Sequence, residues 1–169
     1  MSAPRFLCDE MLGKLARELR TLGYDATYAH GSDDEAILAR AEREDRRLLT
    51  RDRGLADRAG SQATLLASRD PGEQLASVIE RERLAPTAAG FLSRCLECNE
   101  PLVAAEDAEE VPADHADGPQ WRCPVCDRVY WPGTHAHDML ERLGEHLPGE
   151  PDPSQALGPP DGTEGERKP

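Results

Sequence analysis

Short apolar runs alternate with longer stretches of helical periodicity through the first half of the chain. Phe6-Leu7-Cys8 is apolar throughout and reads as a buried parallel strand. Met11, Leu12, Leu15, Leu19 and Leu22 then recur at helical spacing, with Lys14, Arg17 and Arg20 off that stripe and Gly23 as its C-cap. Residues 25–29 read as a second strand, and Ser32 or Asp33 caps a second helix whose apolar positions are Ile37, Leu38 and Ala41. Leu48-Leu49-Thr50 is the third strand and residues 63–67 the fourth, while Leu75, Val78, Ile79 and Leu84 mark a further helix. Strands alternating with helices predict βαβ units, a parallel sheet and right-handed crossovers.

That rhythm breaks near Pro86. From there to Trp131 cysteines punctuate the chain around an acidic insert, Glu106 to Asp117, and His135 to Leu147 supports a short helix. Past Pro148 the residues are mostly Pro, Gly, Asp and Glu, with almost nothing to bury. The expected organisation is an α/β domain over 1–85, a cysteine-built module with a short helix over 86–147, and a disordered acidic tail over 148–169.

Charge changes this picture through its distribution. The net charge is −13, but residues 1–94 hold 15 basic against 16 acidic side chains, and residues 95–169 hold 5 against 17. The first half is thus nearly neutral and Arg-rich, and global acidity does not exclude a nucleic-acid substrate. No stretch approaches the roughly 18–20 apolar residues of a membrane span. The start runs into the first strand without an apolar signal region, so the expected home is cytoplasmic. In a reducing compartment cysteines favour metal over disulfides.

Cys95-Leu96-Glu97-Cys98 and Cys123-Pro124-Val125-Cys126 are two C-x2-C knuckles 24 residues apart. Each brings two thiolates to one ion, and together they complete a tetrahedral four-cysteine zinc site with no open position, hence a structural one. The acidic insert accounts for the excess over the usual spacing of roughly 15–20 residues as a hairpin extension. Cys8 reads as a buried strand thiol. His135 and His137 are surface or hydrogen-bonded groups, since four sulfurs already suffice.

The carboxylates suggest different chemistry. Asp9 and Asp52 each follow an apolar strand, and in a parallel sheet both emerge at its carboxyl edge. Asp33 and Asp34, in the first turn of the second helix, face the same edge, with Asp57 and Asp70 as weaker candidates. Carboxylates drawn together repel unless a hard cation such as magnesium or manganese joins them. Such a cation generates hydroxide and neutralises the leaving oxygen of a phosphodiester. Lys14, Arg17 and Arg51 are placed to hold phosphates. Each acid taken singly also reads as a plain helix cap.

The ordered residues Phe6-Leu7-Cys8-Asp9-Glu10-Met11-Leu12-Gly13-Lys14-Leu15-Ala16-Arg17, then Leu22-Gly23-Tyr24-Asp25 and Leu48-Leu49-Thr50-Arg51-Asp52, resemble the mut-seven C-terminal RNase domain family. The two knuckles, with Arg128-Val129-Tyr130-Trp131-Pro132-Gly133-Thr134-His135, are similar to its terminal zinc ribbon. The resemblance spans about residues 5–140. It implies a PIN-like three-layer α/β/α fold with a small four-cysteine zinc ribbon, and RNA cleavage dependent on magnesium or manganese. Its acids carry over to Asp9, to Asp33 or Asp34, and to Asp52; the later acid of the pattern has no clear match. The resulting expectation is a metal-dependent ribonuclease. The alternative is a non-catalytic RNA- or protein-binding module on the same scaffold, and phosphoryl transfer by Asp9 lacks a second aspartate two residues on. Trp121, Tyr130 and Trp131 either stack on unpaired bases or pack around the knuckles.

Overall fold

Four short strands carry the first half of the protein: β1 (Phe6–Cys8), β2 (Ala26–Tyr28), β3 (Arg47–Thr50) and β4 (Ala63–Leu65). All pair in parallel, in the order β2-β1-β3-β4, with Cys8 level with Tyr28 on one side and Leu49 on the other. Phe6, Leu7, Cys8, Leu48 and Leu49 are fully buried, which is why these strands are apolar on both faces rather than alternating. The computed structural model describes residues 3–149, which fall into two units, 3–19 with 24–84 and 20–23 with 85–149.

In the first unit a 3-10 turn (Glu10–Leu12) leads into α1 (Gly13–Thr21), followed by α2 (Asp34–Arg43), α3 (Arg53–Ala59) and α4 (Pro71–Arg81). The expected α/β architecture with a parallel sheet is the one observed. Leu7 and Leu48 pack with Ala29, Ile37, Ala41 and Leu55 into one cluster. Helix α3 was not foreseen, because a seven-residue helix with a single buried side chain, Leu55, has too little apolar periodicity to register. Helix α4 starts ahead of its first apolar residue because Asp70 caps it and Pro71 occupies its first turn.

The amino edge of this sheet is closed by charge. Arg46, 9% exposed, donates to Asp25 at 2.6 Å, to Glu44 at 2.6 Å and to the Phe6 carbonyl at 3.2 Å. Arg47 beside it donates to Glu82 at 3.0 Å and Thr64 at 3.1 Å.

The second unit holds β5 (Val103–Ala105), β6 (Gln120–Arg122) and β7 (Val129–Tyr130) in an antiparallel sheet, then α5 (Thr134–Leu143). The acidic insert joins β5 to β6, as a hairpin extension should. It is more than solvated loop: Ala108 and Val111 pack on Val129 and Trp131. Gln120 pins it, accepting from Ala108 N at 3.0 Å and donating to Ala116 O at 2.9 Å. Arg20, set by spacing off the apolar stripe, is nonetheless buried, its guanidinium donating to Leu96 O at 2.8 Å. The acidic tail expected over 148–169 lies, from residue 150 on, outside the described residues. Among the described residues no helix is long and apolar enough to cross a membrane.

Arg46→Met should cost about 2 kcal/mol in urea denaturation, because it strips charged hydrogen bonds from Asp25 and Glu44. The Arg46 hydrogen bond, against the opposing effect of burial, holds Glu44 below its ordinary value of 4.5. The Glu44 contribution is therefore complete above that value and is lost as pH falls through the lower folded one. The gap between wild type and variant should narrow below about pH 4; a gap independent of pH would show that Glu44 takes no part.

Candidate functional site

Helical connections run from β1 outward to β2 and from β3 outward to β4, so the sheet order reverses between β1 and β3. At such a switch point the loops leave in opposite directions and open a crevice at the carboxyl ends of the strands. Asp9 follows β1 and Asp52 lies two residues past the end of β3, at the same edge. The Asp9 amide donates to Leu49 O at 3.0 Å, continuing the ladder by one residue.

One hydroxyl ties these acids together. Thr50, fully buried, donates to Asp9 Oδ2 at 2.6 Å and accepts from the Asp52 amide at 3.0 Å. Asp9 Oδ1 accepts from the Glu10 amide at 2.8 Å, and Asp52 Oδ1 caps α3 through the Leu55 amide at 3.1 Å. The cap and site readings of these acids thus coexist in the same side chains. Asp9 is 6% exposed, and among the described residues no cation pairs with it. Buried charges are normally paired or bound to metal. Each Asp9 oxygen has one protein donor and keeps a lone pair for a hard cation.

Asp33 caps α2 through Ala36 N at 2.8 Å, and Asp34 is exposed in the first turn. Asp70 caps α4 through Glu73 N at 2.9 Å, and Asp57 is exposed on α3. Among the described residues, the group of three or more Asp, Glu, His or Cys side chains close enough to share an ion is formed by cysteines, not by these acids. Lys14 and Arg17 are exposed on α1. Arg51, between Thr50 and Asp52, has a buried Nε without a hydrogen-bond partner among the described residues. The sequence reading missed the role of Thr50, treating it as the last strand residue. Its signal was a hydroxyl closing an apolar run directly before Arg-Asp. It also missed Tyr28, whose hydroxyl donates to the Glu10 carbonyl and whose ring stacks on His30 with centroids 5.8 Å apart.

The four cysteines are brought together, with all sulfurs within 4.8 Å of one another. A tetrahedral ion with metal–sulfur bonds near 2.3 Å needs sulfurs roughly 3.8 Å apart; Cys95 and Cys126 are separated by 3.7 Å. The two knuckles repeat one backbone design. Cys95 N donates to Glu100 O at 2.8 Å and Asn99 N to Cys95 O at 2.9 Å; Cys123 N donates to Arg128 O at 2.9 Å and Asp127 N to Cys123 O at 3.0 Å. Both turns close through a left-handed residue, Asn99 with φ 64° and Asp127 with φ 63°. Amides also point at sulfur, from Cys98 to Cys95 and from Val125 to Cys123, each at 3.4 Å.

Burial opposes the Cys95 thiolate, yet hydrogen bonds from Tyr130 and the Cys98 and Glu97 amides outweigh it and bring the thiol down to about 7. Burial and neighbouring sulfurs push Cys98 up to about 12. Four sulfurs this close cannot all be anionic without a cation, and a metal ion such as zinc fits the set. His135 and His137 are exposed and lie outside the cluster.

The repeated left-handed turn gives a direct test. Asp127→Gly should stay within about 0.5 kcal/mol of wild type in denaturation of the metal-loaded protein, and Asp127→Val should lose about 1–2 kcal/mol. Equal stability of the two variants would remove the conformational argument.

No curated protein and no solved structure matches the chain. A family model does, that of the Mut7-C RNAse domain, over residues 4–143. The match takes in both the strand-end acids of the first unit and both knuckles of the second, and the chain belongs to the Mut7-C RNAse domain family.

Proposed function

We propose that the protein is a metal-dependent ribonuclease hydrolysing RNA phosphodiesters at the β1/β3 crevice. The observation that carries this reading is Asp9, a nearly buried carboxylate fixed by Thr50 beside Asp52 and lacking a cationic partner among the described residues. Membership of an RNase domain family supports the substrate class. Asp9 and Asp52, with Asp33 or Asp34 from the start of α2, would hold magnesium or manganese. When bound, that ion supplies an activated water and neutralises charge on the phosphodiester.

The chain's own residues set the geometry. The Thr50 hydroxyl fixes the Asp9 carboxylate and, through the Asp52 amide, the next acid, so neither needs to reorganise when a substrate arrives. Lys14, Arg17 and Arg51 hold phosphate oxygens, and the enclosed Arg51 Nε is a donor still awaiting an acceptor. Cys95, Cys98, Cys123 and Cys126 hold zinc in a closed, structural site that takes no part in the reaction.

A second reading is a module that binds RNA or protein without turnover. It is favoured by one observation, that no third acid joins Asp9 and Asp52 in a close group among the described residues. Turnover separates the two. With fluorescent single-stranded RNA and manganese, Asp9→Asn should lower the rate at least about 100-fold and Thr50→Val about 10–100-fold, as for a ligand and its orienting partner. RNA retention with no cleavage by wild type establishes the second reading, and equal cleavage by wild type and Asp9→Asn removes the site.

Zinc is tested by metal analysis of the purified protein. One zinc per chain is expected, with Cys123→Ser losing it and the second unit losing its protection from proteolysis, since metal binding there is folding energy. Wild type without sulfur-bound metal would end this assignment.

A further inference from the structure

The second unit contains a cavity of about 490 Å³, and every residue lining it belongs to that unit. Its volume falls within the range of roughly 300–1,000 Å³ typical of small-ligand sites. Leu96 and Met139 line it with Trp121, Tyr130 and Trp131, and Arg128 lines it as an exposed side chain. Both tryptophans of the chain are in this lining. Packing explains part of each ring: Trp121 is buried, the Tyr130 hydroxyl lies 3.3 Å from Cys95 Sγ and accepts from the Leu96 amide at 3.0 Å, and Trp131 rests on Ala108, Val111 and Val129. It does not explain why the remaining ring surface faces an open volume.

We propose that this cavity binds a single unpaired nucleotide of an RNA strand, its base stacked on Trp131 and its phosphate on Arg128. Aromatic faces accept any base because every base has a π-surface. Arg128 supplies the charge. Among the described residues of the unit, Arg20 and Arg94 donate to backbone carbonyls, Arg122 lies 4.0 Å from Glu110, and Arg142 is also engaged. Arg122 also donates to Asp127 O at 2.9 Å, whereas for Arg128 the interaction found among the described residues is its charge acting on the Tyr130 hydroxyl. The strong acidity of residues 95–169 disfavours a long phosphate track across this unit, so one cation beside one aromatic cavity selects one nucleotide. Asp114, exposed on the same lining, lies 3.6 Å from His115.

The lining makes intrinsic tryptophan emission a reporter of the cavity itself. The zinc-loaded full chain carrying Asp9→Asn, in magnesium-free buffer, is titrated with pentaadenylate RNA, with an RNA duplex and with inorganic phosphate. This background keeps the RNA intact and makes the result independent of whether the crevice acids catalyse. Saturable quenching is expected with the single strand, and none with the duplex or with phosphate. Arg128→Gln should weaken binding several-fold with zinc content unchanged, and Trp131→Leu should weaken it about 10-fold. The affinity should fall with salt at a log–log slope near −0.7, the value for one phosphate contact on a single strand. Absence of saturable quenching up to about 1 mM strand, or equal affinity in Arg128→Gln, overturns the proposal. Because Arg128 is exposed, a folding failure at Trp131 leaves that second arm decisive. Quenching by acetyl-leucinamide but not by RNA would assign the cavity to an apolar peptide side chain and equally overturn it.

Discussion

The hydrogen bond from Thr50 to Asp9 links the sheet to the chemistry it is read to perform. A carboxylate exposed at 6% is expensive to keep charged, and the usual remedy is a buried cation. The described residues offer Asp9 only a hydroxyl and one amide, at 2.6 and 2.8 Å. These fix its direction without neutralising it. Burial, fixed orientation and the lack of a cationic partner among the described residues are what the proposal of a metal ligand at Asp9 rests on. Thr50 does this because β3 extends one residue beyond its pairing with β1, which leaves its side chain beside the first residue of the β1 loop.

The arginines divide along the same sheet. At the amino edge Arg46 and Arg47 are consumed by Asp25, Glu44, Glu82 and Thr64, so their charge belongs to the fold. At the carboxyl edge Arg51 keeps an Nε without a hydrogen-bond partner among the described residues. Three arginines within six residues of sequence thus have different fates, decided by which end of a four-residue strand they lie at.

This explains what could be read without coordinates. Strand-end acids, apolar runs and paired knuckles are local patterns, and they located the parallel sheet, the helix start at Asp33 and the cysteine cluster. Thr50 and Tyr28 act through partners 41 and 18 residues away, and Arg20 through a carbonyl 76 residues away. No periodicity encodes such pairings. Helix α3 escaped for the opposite reason: it is so local, with one buried residue, that its signal falls below that of a loop. The insert misled in a third way, because its acidity concealed Ala108 and Val111, two small apolar residues that bury against Val129.

The knuckles show how the second unit presents four sulfurs with a defined geometry. Each turn needs a left-handed residue after its second cysteine, and each uses a short polar side chain, Asn99 or Asp127, which tolerates that conformation better than any branched residue. The carbonyl and amide bonds of the two turns match within 0.1 Å, so four sulfurs are presented from two copies of one local solution. The order imposed there propagates through the Tyr130 hydroxyl, which links Cys95 to the Leu96 amide. The adjoining aromatic surface is therefore held from two sides, by the sulfur cluster through Tyr130 and by the buried apolar residues against which Trp131 packs.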